Sequence, residues 1–192
     1  MKTLVDVKQL IEAYHPWDEQ EEQDRKVILK YLDIFDDMLL RKNELIHLTA
    51  SGWIFNSSHD KVLMVYHNIY DSWGWTGGHA DGDADLLHVA LKEAQEETGI
   101  QSCKVLSKEI LALDILPVWR HIKRGNPISS HQHANITYLL EADEHEKLIM
   151  KPDENQGVKW IPIEEINQYV SEPDMLPIYE KLNEKAMRLL KQ

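Results

Sequence analysis

Apolar residues recur at helical spacing near the start of the chain. Leu10, Ile11, Ile28, Leu29, Leu32 and Ile34 fall among many charges, and residues 3 to 40 contain no Gly and one Pro. This predicts two helices divided near His15-Pro16-Trp17, because Pro16 disfavours helical geometry in the residue before it. From His47 the texture changes to a period of two. Leu48, Ala50, Gly52 and Ile54 alternate with Thr49, Ser51, Trp53 and Phe55, as in a strand. Asn56-Ser57-Ser58-His59-Asp60 supplies a turn into a second run, Lys61 to His67, so the pair reads as a hairpin. A glycine-rich bend, Gly74-Trp75-Thr76-Gly77-Gly78-His79, leads through Asp81-Gly82-Asp83-Ala84-Asp85 into a predicted helix from Leu86 to Thr98, with Gly99 as its C-cap. Strands are expected over residues 105 to 116, 134 to 141 and 157 to 161. Helices are expected over Ile163 to Val170 and Met175 to Leu190, separated by the breaker Ser171-Glu172-Pro173-Asp174. The sum is an α+β domain over residues 45 to 192, behind a helical N-terminal segment over residues 1 to 44.

Composition sharpens this picture. The 192 residues include 21 Lys+Arg and 33 Asp+Glu, a formal charge of −12 with His neutral, and 43% are hydrophobic. That apolar share supports a packed core. The acidity and the lack of a long cationic run argue against a nucleic-acid polymer as partner, since backbone binding needs clustered cations. No stretch approaches 18 consecutive apolar residues, so a membrane-spanning helix is not expected. The lone Cys103 has no intrachain disulfide partner, and Met1-Lys2 runs into Asp6 and Lys8 rather than an apolar signal region. A cytoplasmic protein is expected.

The informative stretch is Lys92-Glu93-Ala94-Gln95-Glu96-Glu97-Thr98-Gly99-Ile100. At 100° per residue, Glu93, Glu96 and Glu97 share one side of the predicted helix, while Leu87, Ala90, Leu91 and Ala94 share the neighbouring side. Like charges at i, i+3 and i, i+4 each destabilise a helix by roughly 0.2–0.5 kcal/mol, so a cation on this face would explain the triad. Carboxylates without His or Cys in register suit a hard ion, Mg²⁺ or Mn²⁺, rather than zinc. The competing reading is a solvated acidic face. Gly77 and Gly78, just upstream, favour the ion because they let backbone approach closely, as a metal and phosphate site requires of a loop.

Gly78 followed at the right offset by Lys92-Glu93-Ala94-Gln95-Glu96-Glu97-Thr98-Gly99-Ile100 resembles the 23-residue box of the Nudix hydrolase superfamily. The resemblance covers residues 78 to 100, and the surrounding order of elements is compatible with that family's core. It implies an α/β/α sandwich with a mixed sheet and Mg²⁺-dependent hydrolysis of a diphosphate bond in a small nucleoside diphosphate derivative, such as ADP-ribose, an ADP-sugar or a nucleoside triphosphate. It further implies metal ligation by Glu93, Glu96 and Glu97 with the Gly77 carbonyl. The general base would be a box residue, Glu96 or Glu97, or a later loop acid, for which Glu154 is the candidate; an exposed loop acid is the other reading of Glu154.

Two positions depart from the box. Ala84 stands where the family has Glu, with Asp83 or Asp85 as candidate substitutes, and Lys92 stands where it has Arg. Lys92 keeps the charge that can hold Glu96 but not the planar fork. These departures motivate a second reading, a Nudix-fold nucleotide-binding or regulatory module of weak activity. The intact triad argues against it. A relative of isopentenyl-diphosphate isomerase ranks last, because that class uses a Cys upstream of its box and Cys103 lies downstream.

Other residues carry paired readings. His79 is a phosphate contact or a loop hydrogen bond, and Lys92 and Arg120 are further candidates for substrate binding. Arg120, His121, Lys123 and Arg124 form a basic patch that binds terminal phosphates or is solvated. His131-Gln132-His133 has a spacing used by zinc, but with only two ligands visible a strand start or phosphate contact is preferred. The tryptophans read as core, with Trp73 or Trp75 available to stack on a base. Cys103 reads as a small core residue. The N-terminal helices either pack on the core or form a homodimer contact through Leu10, Ile28 and Leu32.

Overall fold

The computed structural model describes residues 2–67, 71–123, 125–151 and 155–191. Two helices open the chain, α1 (Leu4–Ala13) and α2 (Glu19–Ile34), divided where Pro16 predicts. A Thr3–Asp6 capping box starts the first, and the Asp18 side chain accepts from the Glu21 amide to start the second. Strands β1 (Ile46–Phe55) and β2 (Lys61–His67) follow as an antiparallel hairpin. The Asn56 carboxamide closes the turn by accepting from the Asp60 and Lys61 amides at 3.1 and 3.0 Å.

The glycine-rich stretch is not a bend but two short strands, β3 (Ser72–Gly74) and β4 (Thr76–His79). Glycine weakens a strand in isolation, which is why the sequence reads as a bend. Here β4 lies antiparallel along β1, pairing Gly78 with Ala50 and Gly77 with Ser51. Helix α3 (Leu86–Thr98) follows, closed by Gly99 in the left-handed region at φ 76°.

The strand expected over 105 to 116 divides into β5 (Lys104–Val105) and β6 (Ala112–Val118). Between them the Ser107 hydroxyl accepts from the Glu109 amide, turning the chain. Strand β6 runs on through Pro117, which an edge strand tolerates because it pairs only with its one neighbour. The basic patch, read as a loop, contains the small ribbon of β7 (His121–Lys123) and β8 (Asn126–Ile128). Strands β9 (His131–Glu141) and β10 (Asn155–Pro162), a 3₁₀ turn at Ile163–Glu165, and helices α4 (Ile166–Tyr169) and α5 (Leu176–Leu189) complete the order.

In the mixed sheet β1 and β9 run parallel over their full length at the centre, in the order β10-β2-β1-β9-β5. The outer edge of β1 is shared by β2 and β4, and that of β9 by β5 and β6, so the sheet forks on both sides. Alternation along β1 sets the layers. Leu48, Ala50 and Ile54 point into a core built with α1, α2 and α3. Trp53 and Phe55 point into a second core built with α4 and α5, where Trp53 stacks on Tyr179. The result is an α/β/α arrangement of α+β class. Ile28 and Leu32 of α2 are buried in the first core, inside a single chain.

Ions tie the N-terminal helices to the rest. Glu21 of α2 is fully buried; it accepts from the Trp17 amide and the Tyr14 hydroxyl, and from Lys181 and Lys185 of α5 at 3.0 Å. Lys181 also donates to Asp114 of β6, and the Ile115 amide donates to Asp24 of α2. Among the described residues no helix is long and apolar enough to cross a membrane.

Candidate active-site cleft

Helix α3 delivers the three glutamates to different depths. Glu97 is 5% exposed, and its Oε2 accepts from the Gly77 amide of β4 at 3.0 Å. The Asn155 carboxamide donates to the Glu97 carbonyl at 2.9 Å, fixing the end of the helix from the other side. Glu93 is half-buried against Gly78 and meets the Lys92 ammonium at 3.3 Å. The Glu96 side chain is 43% exposed, with Lys151 at 3.4 Å and Lys92 at 3.9 Å. Lys92 therefore reaches Glu96 across one turn but sits closer to Glu93, a point-charge contact where Arg would place a fork.

The two glycines are steric requirements of this face. A Cβ on Gly78 would fall 2.4 Å from Glu93 Cδ, and one on Gly77 would fall 2.4 Å from Ser51 Oγ and 2.8 Å from the Ala50 carbonyl. Only glycine lets β4 lie between β1 and the acidic side of α3.

Glu93, Glu96 and Glu97 line one side of a cleft of about 420 Å³, with Gly77 and Gly78 beside them. Its floor is a buried polar row: Asn135 Oδ1 accepts from Thr49 and Ser51, each at 2.9 Å. Trp75, Met175 and Tyr179 form the far wall, together with Glu172, whose carboxyl is raised above its usual range by burial. Besides Lys92, the cations Arg41 and Lys123 stand along the cleft; Arg41 is paired with Asp81, its Nε 2.7 Å from Oδ1.

Several candidates fall elsewhere. Asp83 and Asp85, the candidate substitutes for the missing box glutamate, do not line the cleft. Asp83 accepts from the Asp85 amide and pairs with His88, while Asp85 caps α3 and meets Lys2. Ala84 itself is 6% exposed and belongs to the first core. Arg120 is exposed on the connection before β7, where its amide donates to Ser130, and does not line the cleft; Lys123 of the same patch does. Glu154 and Arg124 lie outside the described residues. Trp53 and Trp75 are buried, whereas Trp119 is 71% exposed, so the tryptophans are not uniformly core. Trp75 packs edge-on against Tyr179, and Trp73 packs edge-on against Tyr66 and Tyr169. Cys103 is half-buried, and burial pushes its thiol up to about 12, the state of an inert packing residue.

His79 lines the cleft, but its neighbours are imidazoles: its ring lies 5.1 Å from His47 and 4.9 Å from His133. Burial, then the Arg41 cation, pushes His79 down to about 3, and burial with the neighbouring rings pushes His133 to about 2. Both are neutral near pH 7 and so are weak partners for a phosphate. Sequence reasoning missed Arg41, Thr49, Ser51 and Asn135 as lining residues of the cleft, and His47 as a lining residue of the adjoining cavity. For Thr49 and Ser51 the only signal was small polar residues at odd positions of β1, a face that an exposed strand would also carry.

The donor chemistry of the acidic face fits a hard divalent cation. It offers carboxylate oxygens from one helix at graded depths, with backbone brought close by Gly77 and Gly78 and no thiol or imidazole in register on α3.

A family model described as NUDIX domain matches residues 45–182. Among curated proteins, the chain is 24% identical over 120 residues to the asymmetrical bis(5'-nucleosyl)-tetraphosphatase of Rattus norvegicus, spanning 62% of this chain and 76% of that one. It is 26% identical over 104 residues to the probable DHNTP pyrophosphohydrolase of Lactococcus lactis subsp. cremoris strain MG1363, spanning 54% of this chain and 59% of that one. Among solved structures, a Nudix hydrolase from M. Smegmatis superposes with a TM-score of 0.55 at 15% identity, over 74% of this chain and 86% of that one, a likeness of fold.

Proposed function

From the premise that the chain belongs to the Nudix family, we propose that it hydrolyses a phosphoanhydride bond in a small nucleoside diphosphate or polyphosphate derivative, with Mg²⁺ or Mn²⁺ on Glu93, Glu96 and Glu97. The observation that carries this reading is the buried Glu97 held by the Gly77 amide on a cleft wall of three carboxylates. The curated relatives are named as an asymmetrical bis(5'-nucleosyl)-tetraphosphatase and a probable DHNTP pyrophosphohydrolase, which supports including nucleoside polyphosphates beside ADP-ribose-type diphosphates among the proposed substrates.

When bound, the ion neutralises phosphate charge and lowers the pKa of an attacking water. The chain supplies the rest. Glu97 is oriented by a backbone donor and cannot swing away. Lys92 and Lys151 relieve repulsion within the triad from its solvent side. Glu96, the most exposed of the three, is placed to accept the proton of a water entering from solvent. Arg41 and Lys123 are positioned to hold phosphates remote from the cleaved bond. Phosphoryl transfer asks for positioning and charge more than covalent help, and this wall provides both.

The test is a panel of dinucleoside polyphosphates, nucleoside triphosphates and nucleoside diphosphate sugars, incubated with Mg²⁺ or Mn²⁺ and resolved by chromatography beside Glu97→Gln. Turnover of one class that disappears in the variant and on chelation supports the proposal. Metal-independent binding without turnover, for every class and both ions, would replace it with the binding-module reading.

A further inference from the structure

A second constellation stands beside the acidic face and is not used by the hydrolysis. His47 on β1 lies opposite His133 on β9 in the parallel register, and His79 on β4 lies opposite Thr49, two residues along the same face of β1. One ligand nitrogen from each of the three rings lies within 4.8 Å of the others. The rings are held by adjacent strands of one sheet, which fix side-chain origins more firmly than loops do.

The state of His47 is set by its partner. Its Nδ1 lies 2.9 Å from the Asn43 carbonyl, which only accepts, so Nδ1 carries the proton and Nε2 presents a lone pair. The residue is 3% exposed, and Nε2 is buried with no hydrogen-bond partner among the described residues. A buried acceptor with nothing to accept from is uncommon and points to a missing ligand. The Asn43 carbonyl is the type of outer partner that orients a metal-bound imidazole. His131 completes the patch: its Nδ1 lies 2.9 Å from the Ser129 carbonyl and its Nε2 lies 3.3 Å from His133 Nε2.

We propose that His47, His79 and His133 bind one divalent transition-metal ion of the zinc class, at a site separate from Glu93, Glu96 and Glu97. Imidazole donors select zinc-like ions over Mg²⁺. Zn–N bonds of about 2.0–2.1 Å in a tetrahedron need nitrogens about 3.3 Å apart, so the ligand atoms, which lie within 4.8 Å of one another, close by at most about 1.5 Å. Three protein ligands leave a fourth position open, as in sites that bind water or an anionic oxygen. That position faces a cavity of about 260 Å³ whose charged walls are Arg41, paired with Asp81, together with Lys123 and Glu44. His79 and His133 also line the cleft, so the ion sits at its end.

The probe is Zn²⁺ alone, titrated calorimetrically and against a chromophoric chelator into the full chain after metal stripping. Co²⁺ spectra report the donor type. The chain is compared with His133→Gln and with the triple variant Glu93→Gln, Glu96→Gln, Glu97→Gln. The expected result is one Zn²⁺ per chain in the parent and in the triple variant, and affinity weaker by more than about 100-fold in His133→Gln. Co²⁺ should give the strong visible bands of a low-coordinate nitrogen site in the parent. No Zn²⁺ uptake, uptake unchanged in His133→Gln, or uptake lost only in the triple variant would each overturn the proposal. If His133→Gln does not fold, the parent Co²⁺ spectrum decides: the weak bands of six oxygen donors would overturn it.

Discussion

The backbone amide of Gly77 donates to Glu97 Oε2 across 3.0 Å, tying a strand to a helix at the box glutamate that is buried. Glu97→Gln keeps the size of the side chain and an oxygen acceptor for that amide while removing the charge. We expect kcat to fall by about 10²–10⁴-fold, with the melting temperature changed by only a few degrees. Steady-state kinetics beside calorimetry checks this. A variant with parental kcat would remove Glu97 from the mechanism.

Gly77→Ala and Gly78→Ala separate stability from activity. The added Cβ at Gly77 meets the Ala50 carbonyl, which belongs to the paired strand and has little room to yield. Urea unfolding should show a loss of about 1–3 kcal/mol. At Gly78 the obstacle is the Glu93 side chain, which can rotate away. That variant should lose activity and metal affinity with a smaller stability cost.

Restoring the family residue at position 84 should not improve the enzyme. Ala84 is buried in the first core, so Ala84→Glu inserts a larger ionisable side chain into an apolar cluster. A destabilisation of roughly 1–3 kcal/mol is expected, with no gain in kcat. Increased kcat at unchanged stability would show that the helix start can reorganise to present the carboxylate.

Glu21→Gln leaves Lys181 and Lys185 buried with their shared counter-charge removed, a loss of about 3–5 kcal/mol. Burial alone would raise the Glu21 carboxyl, but Lys181 and Lys185 outweigh it and hold the group below its usual 4.5. Its contribution is therefore present above pH 4.5 and lost as pH falls through the lower folded value. Asp114, raised by burial and in part by the Glu21 charge, titrates differently once that charge is removed, so the stability difference between parent and variant reports the coupled pair. That difference should shrink as pH falls below about 4.5 in a pH series of unfolding curves.

What the sequence revealed follows from distance along the chain. The acidic face was legible because Glu93, Glu96 and Glu97 share one helix, and helical periodicity alone places them together. The floor was not. Thr49 and Ser51 meet Asn135 only through the parallel pairing of β1 with β9, 86 and 84 positions away, and nothing local specifies that register. The same pairing brings His133 beside His47, which is why two histidines at alternate positions of β9 suggested only half of a donor set. Gly77 and Gly78 were misread as a bend because a glycine's reason for being in a strand is the neighbour it admits. The break near Pro16 and the Gly99 cap were correct, since each depends on the conformational limits of one residue.

The contact between Glu21 and Lys185 spans 164 positions and so closes almost the whole chain into a ring. Such a latch is late to form, because non-local contacts wait on the search that brings them together. Without the ammonium groups of α5, Glu21 and Asp24 would meet Asp114 as like charges, which opposes docking of the first helices on the sheet. The last helix thus supplies the cations that let the first two settle. Both ends of the chain should consequently melt in one cooperative step, with neither fraying ahead of the other.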